Sequence, residues 1–159
     1  MSMRTGIGWD SHRLVAGRPL ILGGVRFEHE LGLDGHSDAD VLTHAVMDAL
    51  LGAAGLDDIG VHFPDSDERY HGADSVALLE TVVAMLRERG LSIANVDTTL
   101  MMERPKLGAR RAEVRARLAT ALGIDAGRVN VKASTGEGIG FVGRQEGVAA
   151  LAVATLRED

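Results

Sequence analysis

Met3-Arg-Thr-Gly-Ile-Gly-Trp9, running on into Asp10-Ser11-His12, is the stretch on which the fold turns. Met3 to Trp9 reads as a first strand. Side chains alternate between the two faces of a strand, so Asp10 and His12 point the same way. His44 sits inside a helix-like stretch further along. One strand edge and one helix then gather a carboxylate and two imidazoles, which suits a divalent cation. Three protein ligands leave a fourth position open, as a catalytic zinc site does and a structural one does not. Taken alone, Asp10 and His12 are also what a strand–loop junction commonly carries, and a lone helical histidine is commonly a surface or satisfied core residue.

Outward from this strand, Pro19 to Phe27 is β-rich and broken by Gly23-Gly24, which gives two short strands with a turn or bulge. Ser37 opens a helix with Asp40 three residues on, a capping-box pattern, and the helix runs from about Asp38 to Ala53, stopping near Gly55. Leu56 to Gly72 is a long loop, of a length that is often functional. Asp74 to Arg89 keeps a helical stripe of Val76, Leu79, Val83 and Leu86, with Gly90 to end it. Ile93 to Met102 is a strand. Gly108 to Leu122 is a helix with Val114, Leu118 and Leu122 inward, Arg110, Arg111, Arg115 and Arg117 largely outward, and Gly123 to stop it. Val129, Val131 and Ala133 alternate with Asn130 and Lys132 in another strand. The apolar tail, Val148 to Leu156, suits either a helix or a buried strand. This order implies an α+β fold, an α/β sandwich in which a mixed β-sheet carries helices on one face. Residues 1–159 read as one domain.

Composition narrows the functional classes. The chain is 45% hydrophobic but only 3% aromatic, so the core is built from Leu, Val, Ile and Ala. It has no cysteine, which removes disulfides and thiolate ligands and leaves His, Asp and Glu to hold any metal. A formal net charge of -6 without a basic run argues against nucleic acid or an anionic membrane as partner. No apolar segment is long enough to span a bilayer, and a cytoplasmic location is the simplest expectation.

Other residues have chemistry to offer. Asp48 lies one turn beyond His44 and is a candidate to fix its imidazole tautomer; an ordinary i,i+4 pair explains it equally well. Ser37, Asp38 and Asp40 are explained as helix-start residues, but His36 is not, and a helix N-terminus attracts phosphate. Asp57 to Asp67 is dense in carboxylates, which suit a hydroxyl-rich substrate or merely a solvated loop. In Ser134-Thr135-Gly136-Glu137-Gly138, glycines let amides approach phosphate oxygens and the hydroxyls add donors. Glu137 suits a harder ion such as Mg²⁺ or Mn²⁺ through a diphosphate. Lys106 and Arg144 are further phosphate or base contacts. Gly6-Ile7-Gly8 is not a dinucleotide fingerprint, because Ser11 stands where the third glycine belongs.

Taken in order, Gly6-Ile-Gly-Trp-Asp-Ser-His-Arg13, Gly35-His-Ser-Asp-Ala-Asp40, His44, Asp58-Ile-Gly60, Phe63-Pro-Asp65, Arg104-Pro-Lys106, Val131-Lys-Ala133 and Gly143-Arg144 through Glu146-Gly147 resemble the 2-C-methyl-D-erythritol 2,4-cyclodiphosphate synthase family. The resemblance spans nearly the whole chain. It implies a homotrimer with active sites between subunits and a cytidine diphosphate substrate cyclised with release of CMP. It implies Asp10, His12 and His44 as ligands of Zn²⁺ or another divalent ion. Glu137 would serve a second ion, Mg²⁺ or Mn²⁺, at the diphosphate. His36 and Thr135 would stabilise the transition state. Asp58, Gly60, Phe63 and Asp65 would hold the methylerythritol side, and Ser37, Ile59, Pro64, Ser66 and Asp67 would also bind substrate. Met102 to Gly108, with Pro105 and Lys106, would form the cytidine pocket of the neighbouring subunit, and Ser134 and Gly136 would also bind substrate. Trp9, Phe141, Arg144 and Glu146 would line a cavity on the trimer axis that accepts an isoprenoid diphosphate. The chain departs from the family pattern where Ser134-Thr135-Gly136-Glu137-Gly138 stands for the usual Thr-Thr-Thr-Glu-Lys, so that a basic residue is missing at Gly138, and where Trp9 replaces the usual Phe or Thr. Two other functions fit the same residues. One is a metal-dependent phosphodiesterase, and the other is a non-enzymatic trimer that senses an isoprenoid phosphate.

Overall fold

A computed structural model describes residues 2–159. The first strand, β1 (Met3–Ala16), is long and pairs antiparallel with β7 (Gly147–Glu158) over most of its length. The apolar tail is therefore a strand, because β7 is hydrogen-bonded on both sides, to β1 and to β5 (Leu91–Met101). Parallel pairing of β5 with β6 (Val129–Ser134) makes the sheet mixed. A short strand that the sequence did not announce, β4 (Leu31–Leu33), pairs with the end of β1 and completes the order β4-β1-β7-β5-β6. Gly23-Gly24 joins β2 (Leu20–Leu22) to β3 (Val25–Phe27) in a separate hairpin.

Helices α1 (Val41–Ala54), α3 (Ser75–Glu88) and α4 (Arg111–Leu122) pack against one face of the sheet. The long loop folds into a short helix, α2 (Ile59–His62), and a 3₁₀ turn at Glu68–Tyr70, started by the side chains of Asp58 and Asp67 respectively. A last single turn, α5 (Gly140–Gly143), precedes β7. The apolar stripes of α3 and α4 are buried as their spacing predicts. Arg110, Arg115 and Arg117 are half-buried rather than outward, and only Arg111 of that set is exposed. The Arg110 guanidinium lies over the Phe27 ring, 5.0 Å from its centroid, and Arg115 Nε is buried.

The first of these helices starts later than expected. Asp40, not Ser37, is the N-cap, and the helix begins at Val41. Ala39 has a positive φ of 56°, which interrupts any helix upstream. The Asp40 carboxylate accepts from Thr43 N at 3.0 Å and Thr43 Oγ1 at 2.7 Å, and also from Gly23 N at 2.8 Å and Gly24 N at 2.7 Å. Ser37 instead accepts from Ala39 N.

What positions α1 is the absence of side chains beneath it. A Cβ on Gly6 would collide with the carbonyl of Ala49, and one on Gly8 with that of Ala45. Ala45, Ala49 and Ala53 recur every four residues and lie on one face of the helix. The helix backbone therefore sits directly on β1. The other face of the sheet is bare: Ile7 is 67% exposed and Trp9 52%, opposite Val153 and Leu151 of β7.

Candidate metal and phosphate site

Strand alternation and the close seat of α1 bring three ligand atoms together. Asp10 Oδ2 lies 2.8 Å from His12 Nε2 and 3.0 Å from His44 Nδ1, and the two nitrogens are 3.2 Å apart. No other group of three such side chains converges among the described residues. His12 turns its Nδ1 to the Asp34 carbonyl at 2.8 Å. A carbonyl only accepts, so Nδ1 carries the proton and Nε2 of the neutral ring faces inward with a lone pair. A tetrahedral ion with ligands at about 2.1 Å holds its ligand atoms roughly 3.4 Å apart, a few tenths of an ångström beyond the spacing found here. The residues present therefore fit a divalent cation.

Electrostatics point the same way. Burial alone would raise the Asp10 carboxyl, but hydrogen bonds and charge from His12 and His44 outweigh it and hold it at about 2. His12 is raised from its ordinary value: burial opposes this, and the Asp10 carboxylate with the Asp34 carbonyl overrides burial.

These three side chains edge a cavity of about 450 Å³. His36, Ser37, Ile59, Gly60, Phe63, Pro64 and Asp65 line it, as the sequence suggested. Asp58, Ser66 and Asp67 do not. Asp58 is spent on Val61 N at the start of α2, and Asp67 on Arg69, so both shape the loop. The Asp67 carbonyl, however, lies 3.4 Å from His36 Nε2. Tyr70, Met47 and Leu78 also line the cavity and were not anticipated. Tyr70 meets Phe63 edge-on at 5.4 Å; as the lone tyrosine of an aromatic-poor chain it was the one signal available.

Asp48 is corrected. Its carboxylate accepts from Ile59 N at 2.9 Å and anchors the loop, and it makes no hydrogen bond to His44. His44 instead places Nε2 2.8 Å from Ser75 Oγ and 3.3 Å from Ser37 Oγ, and Ser75 in turn bonds Asp38.

A second cleft, of about 310 Å³, gathers Met102, Pro105, Lys106 and Gly108 with Ser134 and Thr135. Beside it, the amides of Gly136 and Gly138 are not open to phosphate. They donate to Glu103 at 2.7 and 3.3 Å, so an internal carboxylate fills the anion nest. Glu137 is exposed, with a φ of 54°. Ser11, Ala149, Met101 and Ser134 lie on one transverse row of the sheet. Three strand spacings, about 14 Å, thus separate the two clefts within one chain. Phe141 and Glu146 line a third, smaller hollow with Ser11, His12 and Arg13, and Arg144 pairs with Glu146 at 3.2 Å. Trp9 does not line that hollow. A further cavity, at the far end between α3, α4 and the start of β5, has Arg87, Arg128 and Asp159 in its lining. Among the described residues no helix is long and apolar enough to cross a membrane.

A mixed sheet with helices on one face carries, at the edge of a cavity, a carboxylate–bis-imidazole cluster that could hold a divalent metal ion. The model of the YgbB family matches residues 3–157, and the chain belongs to that family. The 2-C-methyl-D-erythritol 2,4-cyclodiphosphate synthase of Desulfosudis oleivorans is 59% identical over 99% of this chain and 94% of its own length. Among solved structures, the bifunctional IspDF from Campylobacter jejuni superposes with a TM-score of 0.96 at 42% identity, covering 99% of this chain and 43% of that one. A CDP-bound 2-C-methyl-D-erythritol 2,4-cyclodiphosphate synthase gives a TM-score of 0.89 at 38% identity, covering 97% of this chain and all of the other, 100%.

Proposed function

We propose that this chain converts 4-diphosphocytidyl-2-C-methyl-D-erythritol 2-phosphate into 2-C-methyl-D-erythritol 2,4-cyclodiphosphate with release of CMP, as a phosphorus–oxygen lyase of the non-mevalonate isoprenoid pathway. The observation that carries this is the convergence of Asp10, His12 and His44 on one cavity in a chain of this family. An oxygen of the substrate's 2-phosphate attacks the phosphorus nearer the erythritol. The bond from that phosphorus to the CMP oxygen breaks, and CMP leaves with the electron pair. No protein nucleophile is needed and no water is consumed.

Both reacting groups are anions, so the chain must offset repulsion and fix an in-line geometry. Asp10, His12 and His44 would hold a divalent ion, best suited by Zn²⁺, and Glu137 a second, Mg²⁺ or Mn²⁺. Such ions supply neutralisation and alignment of the phosphates. His36 and Thr135 donate to the developing charge, and the 59–65 segment orients the erythritol. Positioning of this kind is worth roughly 7 kcal/mol or more of the barrier. The amides of Gly136 and Gly138 act indirectly, by holding the Thr135 loop against Glu103.

We further read the working molecule as a homotrimer with Met102, Pro105, Lys106 and Gly108 serving the cytidine of a substrate held by the adjacent subunit. Two features support this: the spacing of the two clefts across the sheet, and the bare apolar face at Ile7, Trp9 and Val153. Phe141, Arg144, Glu146 and Trp9 would then lie near the axis, where an isoprenoid diphosphate could lodge. A cytoplasmic setting agrees with this role.

Incubation with the cytidyl substrate, followed by CMP release and phosphorus NMR of the product, tests the reading. A cyclic diphosphate free of solvent oxygen is expected. A linear phosphate carrying oxygen from labelled water would make the protein a phosphodiesterase instead.

A further inference from the structure

A neutral imidazole carries one N–H, and which nitrogen holds it decides whether the other can bind a cation. For His44 the answer is set by Ser75 and Asp38. Ser75 is the first residue of α3 and is fully buried. Its Oγ lies 2.8 Å from His44 Nε2. Asp38 grips the same serine twice: Oδ2 accepts Ser75 N–H at 3.0 Å, and Oδ1 accepts the Ser75 hydroxyl. A carboxylate accepts and does not donate, and a serine hydroxyl has one proton to give. With that proton committed to Asp38, Ser75 offers His44 only a lone pair. His44 then donates from Nε2, and Nδ1, 3.0 Å from Asp10 and 3.2 Å from His12, is the nitrogen left to meet a cation in place of a proton shared with the Asp10 carboxylate. Ser37 Oγ, at 3.3 Å, is the more distant contact.

We propose that Asp38 and Ser75 are positioning residues, a carboxylate–hydroxyl relay that locks His44 in its Nε2–H tautomer and so presents Nδ1 to the divalent ion. This deepens the metal reading and rests on it. Asp38 is itself fixed from two sides, accepting from Asp40 N at 3.1 Å and donating its own N–H to the Ala73 carbonyl at 3.1 Å. The relay thus ties the segment carrying His36 and Ser37 to a metal ligand. Partners of this kind typically change metal affinity 10–100-fold, roughly.

Nitrogen-15 NMR of the metal-free protein above about pH 8, where free imidazoles are neutral, reads the tautomer directly. The wild-type His44 signals should be those of the Nε2–H form. Ser75→Ala and Asp38→Asn should each give a mixture containing Nδ1–H and weaken Zn²⁺ binding, by titration calorimetry, about 10–100-fold. Ser37→Ala should keep the wild-type tautomer. If Ser75→Ala or Asp38→Asn, whichever remains folded, keeps pure Nε2–H and wild-type Zn²⁺ affinity, the relay is overturned. If the tautomer shifts as stated but even the wild-type protein fails to bind Zn²⁺, the relay stands and the metal reading falls.

Discussion

Within the proposed metal cluster, the protonation of Asp10 and His12 ties stability to pH. Asp10, held at about 2 against an ordinary 3.8, contributes stability that is present above 3.8 and lost as pH falls through 2. His12, raised above 6.5, contributes stability that is present below 6.5 and lost as pH rises through its folded value. The metal-free protein should therefore be most stable between these limits and decline toward alkaline pH. Zn²⁺ binds deprotonated imidazole, so adding it should remove the alkaline decline. Thermal unfolding from pH 4 to 9, with Zn²⁺ and with chelator, checks this; a chelated protein whose midpoint keeps rising beyond pH 8 contradicts it. His44→Ala should abolish Zn²⁺ binding and CMP release while leaving the circular dichroism spectrum intact. Asp10, His12 and His44 were legible because strand alternation and a recognisable motif order converge on them. The Asp38–Ser75 contact was not, since the two residues are 37 apart and nothing local to either announces the other.

At the scale of elements, the site depends on how closely α1 lies on β1. Gly8→Ala has no free space to enter, because the obstacle is helix backbone rather than a pliable side chain. It should cost about 1–3 kcal/mol or more, measured by urea denaturation, and should also weaken Zn²⁺ binding by carrying His44 away from Asp10. A Gly8→Ala protein with wild-type stability and affinity would show that the helix can shift freely. Helix ends at Gly55 and Gly123 and the stripes of α3 and α4 were readable from sequence because capping and periodicity are local, whereas α3 is capped by Arg89, one residue before the expected Gly90. The start of α1 was not. Ser37 and Asp40 are both good cap residues, and the choice fell to Asp40 because Gly23 and Gly24, far back in the chain, donate to it. With three residues, β4 is too short to display an alternation. The tail became a strand because β1 and β5 flank it, a fact that no window of its own sequence contains.

At the scale of the molecule, the proposed homotrimer would use the uncovered sheet face as the meeting surface of its copies. Trp9→Asp places a charge in the centre of that face. It should shift sedimentation from trimer to monomer and remove CMP release, while the isolated chain still binds Zn²⁺ through its own three ligands. A wild-type monomer that turns over at full rate would exclude a shared site. The Asp40 carboxylate has its own consequence for how the molecule opens. Four donors, two from the β2–β3 turn and two from the first turn of α1, meet on that one buried group. Neither element can swing out without stranding it in a dry environment. The amides of Gly23, Gly24 and Thr43 should therefore exchange with deuterium at matched rates, as one breathing unit that includes the helix bearing His44.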